Sequence, residues 1–128
     1  MTNMPENGEF CWNELMTSDT GQAQEFYCKL FGWTSQEHPM KNMTYTIFKK
    51  GEKGIGGMLQ IPTSEQGKIP PHWLSYILVA NLDEMIIKSE TLGAQVKVGS
   101  TLVEGMGRFA ILMDPTGAAI ALWETINS

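Results

Sequence analysis

The stretch FAILMDPTGAAIALW, residues 109–123, consists of two apolar runs on either side of a tight turn. The turn is Asp114-Pro115-Thr116-Gly117, in which proline presets φ and glycine tolerates positive φ. The run that follows, residues 118–123, carries no charge. This pattern predicts a hairpin of two largely buried strands, about 108–113 and 118–123.

A helical pattern lies in each half of the chain. Asn81 starts the second pattern, where Glu84 three residues later completes a capping box, and Gly93 ends it. The first pattern begins at Ser18 or Asp19, ends at Gly32 and has apolar residues at helical spacing. These residues are Ala23, Phe26, Tyr27, Leu30 and Phe31. They predict the face that packs on the core, and Cys28, which lies off it, is expected to be exposed.

The two halves repeat one unit. Asp19 and Asn81 are 62 residues apart, and Gly32 and Gly93 are 61 apart. One strand-like run precedes each helix and three follow it, so each half is βαβββ. The prediction is an α+β fold in which two such repeats form a curved mixed sheet around a cleft. The chain is expected to be a single domain over 1–128, with repeats at about 8–61 and 73–124 and a linker at 62–72.

Composition excludes several classes of protein. The 128 residues are 42% hydrophobic and 18% charged, with a net charge of −5 and no basic patch that would predict nucleic-acid binding. No apolar run approaches the length that spans a bilayer, and the N-terminus has no signal-peptide pattern. The two cysteines form neither a disulfide framework nor a metal spacing. We expect a cytoplasmic protein without nucleic-acid or membrane partners.

Two stretches resemble a known superfamily. CWNELMTSDTGQAQEFYCKLFGW (11–33) and GRFAILMDPTGAAIALWE (107–124) are similar to the glyoxalase / bleomycin-resistance / extradiol-dioxygenase superfamily, also called vicinal oxygen chelate proteins. The resemblance covers almost the whole chain, including the order of elements and the repeat. Because this superfamily includes isomerases, dioxygenases, thiol transferases and binding proteins, the resemblance implies a fold and leaves the function open. It also implies a homodimer, for which Trp33, Trp73 and the N-terminal segment are candidate contacts.

The chain lacks suitable residues at the positions where metal-dependent members of this superfamily carry their ligands. Metal-dependent members carry a His seven residues before the residue that caps the helix, where this chain has Trp12 and Leu74. They carry a Glu seven residues after the Asp of the turn, where this chain has Ala121 and, in the first half, Gly57 or Met58. A Zn or Fe site needs about three ligands from His, Cys, Asp and Glu. We therefore expect neither metal nor cofactor.

Alternation along the strands places several side chains on the cleft face. The candidate ligand-binding residues are Trp12, Glu14, Leu74, Tyr76, Arg108, Ala121 and Trp123. The aromatic residues could stack on a flat or cationic ligand, or could simply fill the core. Glu14 could anchor a ligand or act as a general base, or could form an ion pair with Arg108 or a hydrogen bond with Tyr76. Arg108 could bind a ligand carboxylate, or could bridge to Asp114 or Glu104.

Three functional hypotheses follow. The first is a metal-independent small-molecule-binding protein, and the second is a metal-free enzyme with Glu14 or Tyr76 as the acid or base. The third is a metal-dependent glyoxalase or dioxygenase, which the missing ligands disfavour. The glycines at 51, 54, 56 and 57 are interpreted as a hairpin turn with close strand packing, because no phosphate-loop motif follows them.

Overall fold

The computed structural model describes residues 4–41 and 43–126 and has an α+β fold. Its helices are α1 (Thr20–Phe31) and α2 (Leu82–Thr91). The strands are β1 (Phe10–Thr17), β2 (Thr34–Pro39), β3 (Thr44–Lys50), β4 (Lys53–Gln60), β5 (His72–Leu78), β6 (Gln95–Val103), β7 (Gly107–Met113) and β8 (Ala119–Thr125). The order βαβββ therefore occurs twice, which confirms the predicted fold class. The predicted linker differs in detail, because it contains a 3-10 turn at Thr63–Glu65 and because β5 begins within it.

The chain forms two compact units with the same strand layout. In the unit spanning residues 12–74, β1 pairs in parallel with β4, and β2, β3 and β4 are antiparallel neighbours in that order. In the other unit, β5 pairs in parallel with β8, and β8, β7 and β6 are antiparallel neighbours. Residues 4–11 belong to this second unit, since Gly8 N donates to Leu78 O at 2.7 Å and Leu78 N donates to Glu9 O at 2.9 Å. The predicted single domain with a cleft stays a prediction.

Side-chain caps fix the starts of both helices. Asp19 Oδ1 accepts a hydrogen bond from Gln22 N at 3.0 Å, and Asn81 Oδ1 accepts one from Glu84 N at 3.1 Å. These bonds satisfy backbone donors that the first helical turn leaves free. Gly32, with φ of 74°, ends α1 in the left-handed conformation. Neither helix in the described part of the chain is long and apolar enough to cross a membrane.

Each unit has its own hydrophobic core between helix and strands. Leu15, Phe48 and Met58 form the first core, against which Ala23, Tyr27 and Cys28 of the α1 segment pack. The second core consists of the buried residues Val79, Leu82, Ala110, Leu112 and Leu122. Large apolar side chains therefore hold each helix against the strands of its own unit.

The predicted core face of α1 is wrong in part. Phe26, Leu30 and Phe31 are more than half exposed, at 55%, 58% and 55%. Cys28, which was expected to be exposed, is partly buried against the core instead. The side of α1 that packs on the core is rotated about the helix axis from the predicted side, because α1 contacts the core through residues 23, 27 and 28.

The Asp114 carboxylate organises the turn between β7 and β8. Its Oδ1 accepts hydrogen bonds from Thr116 N at 2.8 Å, Thr116 Oγ1 at 2.7 Å and Ala118 N at 3.0 Å. These bonds to Thr116 and Ala118 lower the pKa of Asp114 below its usual value. Gly117 completes the turn with φ of 97°.

Replacing Asp114 should weaken the fold in a pH-dependent way. Because the pKa of Asp114 is lowered in the folded state, its stabilising contribution is present above the unfolded pKa and is lost as pH falls through the folded pKa. Asp114→Ala should lower the thermal midpoint by a few degrees at pH 7, and the difference from the parent should shrink below about pH 4. Thermal unfolding followed by circular dichroism at several pH values measures this, with Glu104→Ala in the β6–β7 turn as control. An Asp114→Ala difference that does not depend on pH would contradict the role of the charge.

Candidate functional site

Strand β1 presents two chemically different faces. Leu15 lies on the face that packs under α1, in the same core cluster as Met58, its register partner on β4. Glu14 pairs with Gly57 and therefore lies on the opposite face, where alternation also places Trp12 and Met16. Glu14 is only 5% exposed, so its carboxylate is buried within a strand. A carboxylate in this position requires polar partners.

Tyr45 of β3 provides a partner for Glu14. Trp12 Nε1 donates a hydrogen bond to Tyr45 Oη at 2.8 Å, and the Tyr45 hydroxyl in turn donates to the Glu14 carboxylate. Burial and the negative charge of Glu14 both raise the pKa of Tyr45. The hydroxyl therefore keeps its proton at neutral pH and remains a hydrogen-bond donor. The three side chains form a directed chain from indole to phenol to carboxylate, which we call the Trp12–Tyr45–Glu14 chain.

The space for the Tyr45 hydroxyl exists because residue 57 is glycine. A Cβ built on Gly57 would lie 1.8 Å from Tyr45 Oη and 2.4 Å from Tyr45 Cζ, closer than atoms can approach. The same Cβ would lie 3.1 Å from Trp12 Nε1. Gly57 thus has the close-packing role that its sequence context indicates, and the approaching group is a tyrosine hydroxyl.

The residues at the family's metal-ligand positions do not fit a metal ion. In the first unit the strand positions hold Trp12 and, on β4, Gly57 or Met58, and Met58 is fully buried in the core. On β5 and β8 the corresponding positions hold Leu74 and Ala121, which are 2% and 0% exposed. Among residues 4–41 and 43–126, no group of three His, Cys, Asp or Glu side chains could hold a metal. The Trp12–Tyr45–Glu14 chain offers one carboxylate and no second ligand of the usual kind.

The second unit brings three predicted residues onto one face. Tyr76 of β5 pairs with Ala121 of β8, and Trp123 lies two residues farther along the same strand. Tyr76 is buried and its ring lies 6.5 Å from that of Phe109. The Trp123 ring covers Gly107, where an added Cβ would lie 2.7 Å from Trp123 Cζ2. Tyr76 and Trp123 thus pack against other groups of the sheet, and their role in ligand binding stays a prediction.

Arg108 and Glu124 lie on the other face of the second unit. Arg108 is exposed and is the register partner of Glu124 on the neighbouring strand. Arg108 lies two positions before Ala110 and Glu124 two positions after Leu122, so both share the face of these core residues under α2. Glu124 Oε1 accepts a hydrogen bond from Leu82 N at 2.6 Å and so caps the start of α2. The structure therefore does not bring Arg108 onto the face of Ala121 and Trp123 with which it was predicted.

Tyr45 is the site residue that the sequence analysis missed. It lies more than thirty positions from Trp12 and Glu14 and has no motif around it. Two consecutive glycines at 56 and 57 within a strand were the available signal, because they indicate that another group approaches closely. The identity of that group depends on the β3–β4 register, in which Ile47 pairs with Gly57 and Tyr45 follows on the same face.

Comparisons with known proteins identify the family. A model of the Glyoxalase/Bleomycin resistance protein/Dioxygenase superfamily matches residues 11–122, and the chain belongs to that superfamily. It is 30% identical to the "Putative glyoxylase CFP32" of Mycobacterium tuberculosis, over 94% of this chain and 49% of that protein. It is also 30% identical to the "Anthracycline biosynthesis protein DnrV" of Streptomyces peucetius, over 91% of this chain and 46% of that protein. The chain thus spans about half the length of these relatives.

Solved structures support the same fold. The hypothetical protein BH1468 from Bacillus halodurans matches with a TM-score of 0.69 and 14% identity, over 94% of this chain and 96% of that one. Methylmalonyl-CoA epimerase from Mycobacterium tuberculosis matches with a TM-score of 0.65 and 15% identity, over 99% and 94% of the two chains. At such identity the likeness establishes the fold alone.

Adding one methyl group at Gly57 should disrupt the Trp12–Tyr45–Glu14 chain. Gly57→Ala is expected to cost about 2–3 kcal/mol or more of unfolding free energy, because the Tyr45 ring must leave its place. Gly54→Ala is the matched control on the same strand, since its Cβ would lie 3.4 Å from Ile47 Cγ2, an ordinary contact. Urea unfolding followed by far-UV circular dichroism measures both variants.

A second substitution separates this steric clash from a general effect on β4. Tyr45→Ala combined with Gly57→Ala removes the clashing ring, so the double variant should lose less than the sum of the two single changes. Additive losses, or a Gly57→Ala variant as stable as the parent protein, would contradict the proposed packing.

Proposed function

We propose that this superfamily member binds a flat small molecule without a metal ion, through the Trp12–Tyr45–Glu14 chain. One observation carries the proposal: Tyr45 Oη occupies the space beside Gly57. The resemblance implies a metal ligand of the metal-dependent members at Gly57 or Met58. The site therefore has a buried carboxylate and two aromatic rings in place of metal-coordinating side chains. Such a group of side chains is suited to recognising charge and ring stacking.

The carboxylate sets the charge that the ligand should carry. Glu14 is 5% exposed, and a buried negative charge favours a partner that brings a positive charge or several N–H or O–H donors. Tyr45 keeps its proton because its pKa is raised, so it cannot supply a competing negative charge of its own. We therefore infer a ligand that is cationic, or rich in hydrogen-bond donors, at the end that meets Glu14.

The aromatic rings set the shape of the ligand. Trp12 and Tyr45 are half-buried, so each keeps part of its ring surface available. The hydrogen bond between them fixes both rings, which reduces the conformational entropy lost when a ligand stacks on them. Two of the matched relatives are named for anthracycline biosynthesis, and anthracyclines are flat multi-ring compounds. This agrees with the choice of a flat ligand.

Catalysis without a metal is the second candidate function. Glu14 could accept a proton from a bound substrate, while the Tyr45 hydroxyl, which donates its one proton to Glu14, orients that carboxylate. The name of one relative, "Putative glyoxylase CFP32", agrees with this alternative. Tyr76 is a weaker candidate for the acid, because its ring packs beside Phe109 in the second unit. Binding is preferred because the buried charge of Glu14, held by the Tyr45 hydroxyl, is suited to recognising a cationic group.

We also propose that the protein works in a reducing compartment such as the cytoplasm. Cys11 and Cys28 are free thiols that are partly buried. Burial raises the pKa of the Cys11 thiol, so this group is a poor nucleophile at neutral pH. Free thiols without a disulfide are typical of proteins in reducing compartments.

The ligand class can be tested with two planar probes of opposite charge. We expect 9-aminoacridine, a cation, to bind at least about tenfold more tightly than 9-anthracenecarboxylate, an anion of similar size, because Glu14 attracts the cation. Glu14→Gln should weaken 9-aminoacridine binding by about tenfold or more, since a hydrogen bond to a charged group is worth about 1.5–3 kcal/mol. Isothermal titration calorimetry measures both affinities.

Glu52→Gln is the control for net charge, because Glu52 is an exposed residue of the β3–β4 turn. It should leave both affinities unchanged. Equal affinity for the two probes, or equal effects of the two substitutions, would contradict a charge-selective site at Glu14.

A further inference from the structure

A groove lined by four aromatic rings lies beside α1. The rings belong to Tyr27, Phe31, Trp33 and Trp73, and the volume of the groove is about 490 Å³. The described residues that line it all belong to the unit spanning residues 12–74. Small-molecule sites typically have volumes of about 300–1,000 Å³, so the groove has the size of such a site. We call it the aromatic groove.

The aromatic groove is separate from the Trp12–Tyr45–Glu14 chain. Asn13 lines the groove and alternates along β1 with Trp12 and Glu14, so its side chain lies on the opposite face of the strand. Gly56 also lines the groove, and its register partner is Phe48 of the core under α1. The aromatic groove therefore lies on the α1 side of the strands, away from the Glu14 carboxylate.

The rings of the aromatic groove hold one another in place. The Tyr27 ring centroid lies 5.4 Å from that of Trp73, 6.0 Å from that of Trp33 and 6.3 Å from that of Phe31. The Trp73 ring is nearly perpendicular to that of Tyr27, at 85°, whereas the other two rings are nearly parallel to it. Trp73 Nε1 also donates a hydrogen bond to Tyr27 Oη at 3.1 Å. The rings therefore need little further ordering when a ligand binds.

Several of these rings keep surface that a ligand can contact. Phe31 is 55% exposed and Trp73 is 40% exposed, whereas Tyr27 and Trp33 are half-buried and pack against the core. A cation that is attracted to an aromatic face lies within about 6 Å of the ring centroid. Because the four centroids are close together, one cation in the groove can approach more than one ring.

The polar groups of the aromatic groove determine which charged ligand it can accept. No charged side chain lines it among residues 4–41 and 43–126. The Trp73 N–H already donates to Tyr27, so it is not available to bind an anion. A primary ammonium ion brings three N–H donors, whereas the side-chain oxygens of the described lining residues are those of Asn13 and Tyr27. A cation without N–H groups needs no such acceptors and loses no hydrogen bond to water.

We propose that the aromatic groove binds a quaternary ammonium group, such as a trimethylated nitrogen. Its methyl groups pack against the rings, and its positive charge is attracted by the electron-rich ring faces. The lack of charged lining residues means that no cationic side chain opposes this attraction. A neutral group of the same shape gains the packing alone, so the charge of the ligand should decide its affinity. This site goes beyond the function proposed for Glu14 and does not depend on it.

Choline and its neutral isostere test the proposal, because 3,3-dimethylbutan-1-ol has the same shape with carbon in place of the charged nitrogen. We expect choline to bind with a Kd below about 10 mM, at least about fivefold more tightly than the isostere. Ethanolamine, the primary ammonium without methyl groups, should also bind at least about fivefold more weakly than choline. Titrations followed by the NMR signal of the Trp33 indole N–H measure the three affinities.

Two substitutions should weaken the binding of choline. Trp73→Leu removes the perpendicular ring and should raise the choline Kd by at least about fivefold, and Phe31→Leu should act in the same direction. Phe10→Leu is the matched control, since Phe10 is 65% exposed but lies outside the unit that forms the groove. It should leave the choline Kd unchanged. Far-UV circular dichroism should show that the three variants are folded.

Equal affinity for choline and its isostere, or a choline Kd well above about 10 mM, would overturn the proposal. So would choline binding that folded Trp73→Leu and Phe31→Leu both leave unchanged. Loss of choline binding in Glu14→Gln would also overturn it, because the cation would then bind at the Trp12–Tyr45–Glu14 chain. That substitution therefore distinguishes a failure of the aromatic groove from a failure of the site at Glu14.

Discussion

The burial of the Glu14 carboxylate is the constraint on which the first unit depends. A carboxylate that is 5% exposed on a strand must receive hydrogen bonds, and Tyr45 gives it one. The Tyr45 hydroxyl can reach this place only if β4 has no side chain beside it, which requires Gly57. Trp12 then completes the chain by donating to Tyr45. Four residues on three strands thus pack together around one buried charge.

The Trp12–Tyr45–Glu14 chain and the space beside Gly57 explain how a superfamily that includes metal-dependent enzymes can have a member whose ligand positions do not fit a metal. On β4 the position is Gly57 or Met58: Gly57 leaves room for the protonated hydroxyl of Tyr45, and Met58 is fully buried in the core. On β8 the small side chain of Ala121 lies fully buried, and the nearby Glu124 faces α2 and caps that helix. The Glu124 carboxylate of β8 therefore has a structural task, which is to cap α2.

Much of the fold could be predicted from sequence because its signals are local. Asp19, Asn81 and the glycines at 32 and 93 mark the helix ends, and the Asp114 turn marks a hairpin. Alternation along β1 correctly separates Leu15 from Glu14. Tyr45 could not be found in this way, since its partnership with Glu14 depends on strand register between distant segments. The exposure of Phe26 and Leu30 was also missed, because apolar spacing identifies a stripe without saying what covers it.

The most direct test of the central claim is native mass spectrometry of the untagged protein after incubation with Zn²⁺, Ni²⁺, Mn²⁺ and Fe²⁺ in turn. The account predicts no stoichiometric metal on the folded chain, because a single carboxylate beside two aromatic rings lacks the three ligands that such ions need. One tightly held metal ion per chain that is lost in Glu14→Gln would contradict the account. It would show that Glu14 serves as a metal ligand and that the Trp12–Tyr45–Glu14 chain opens to admit the ion.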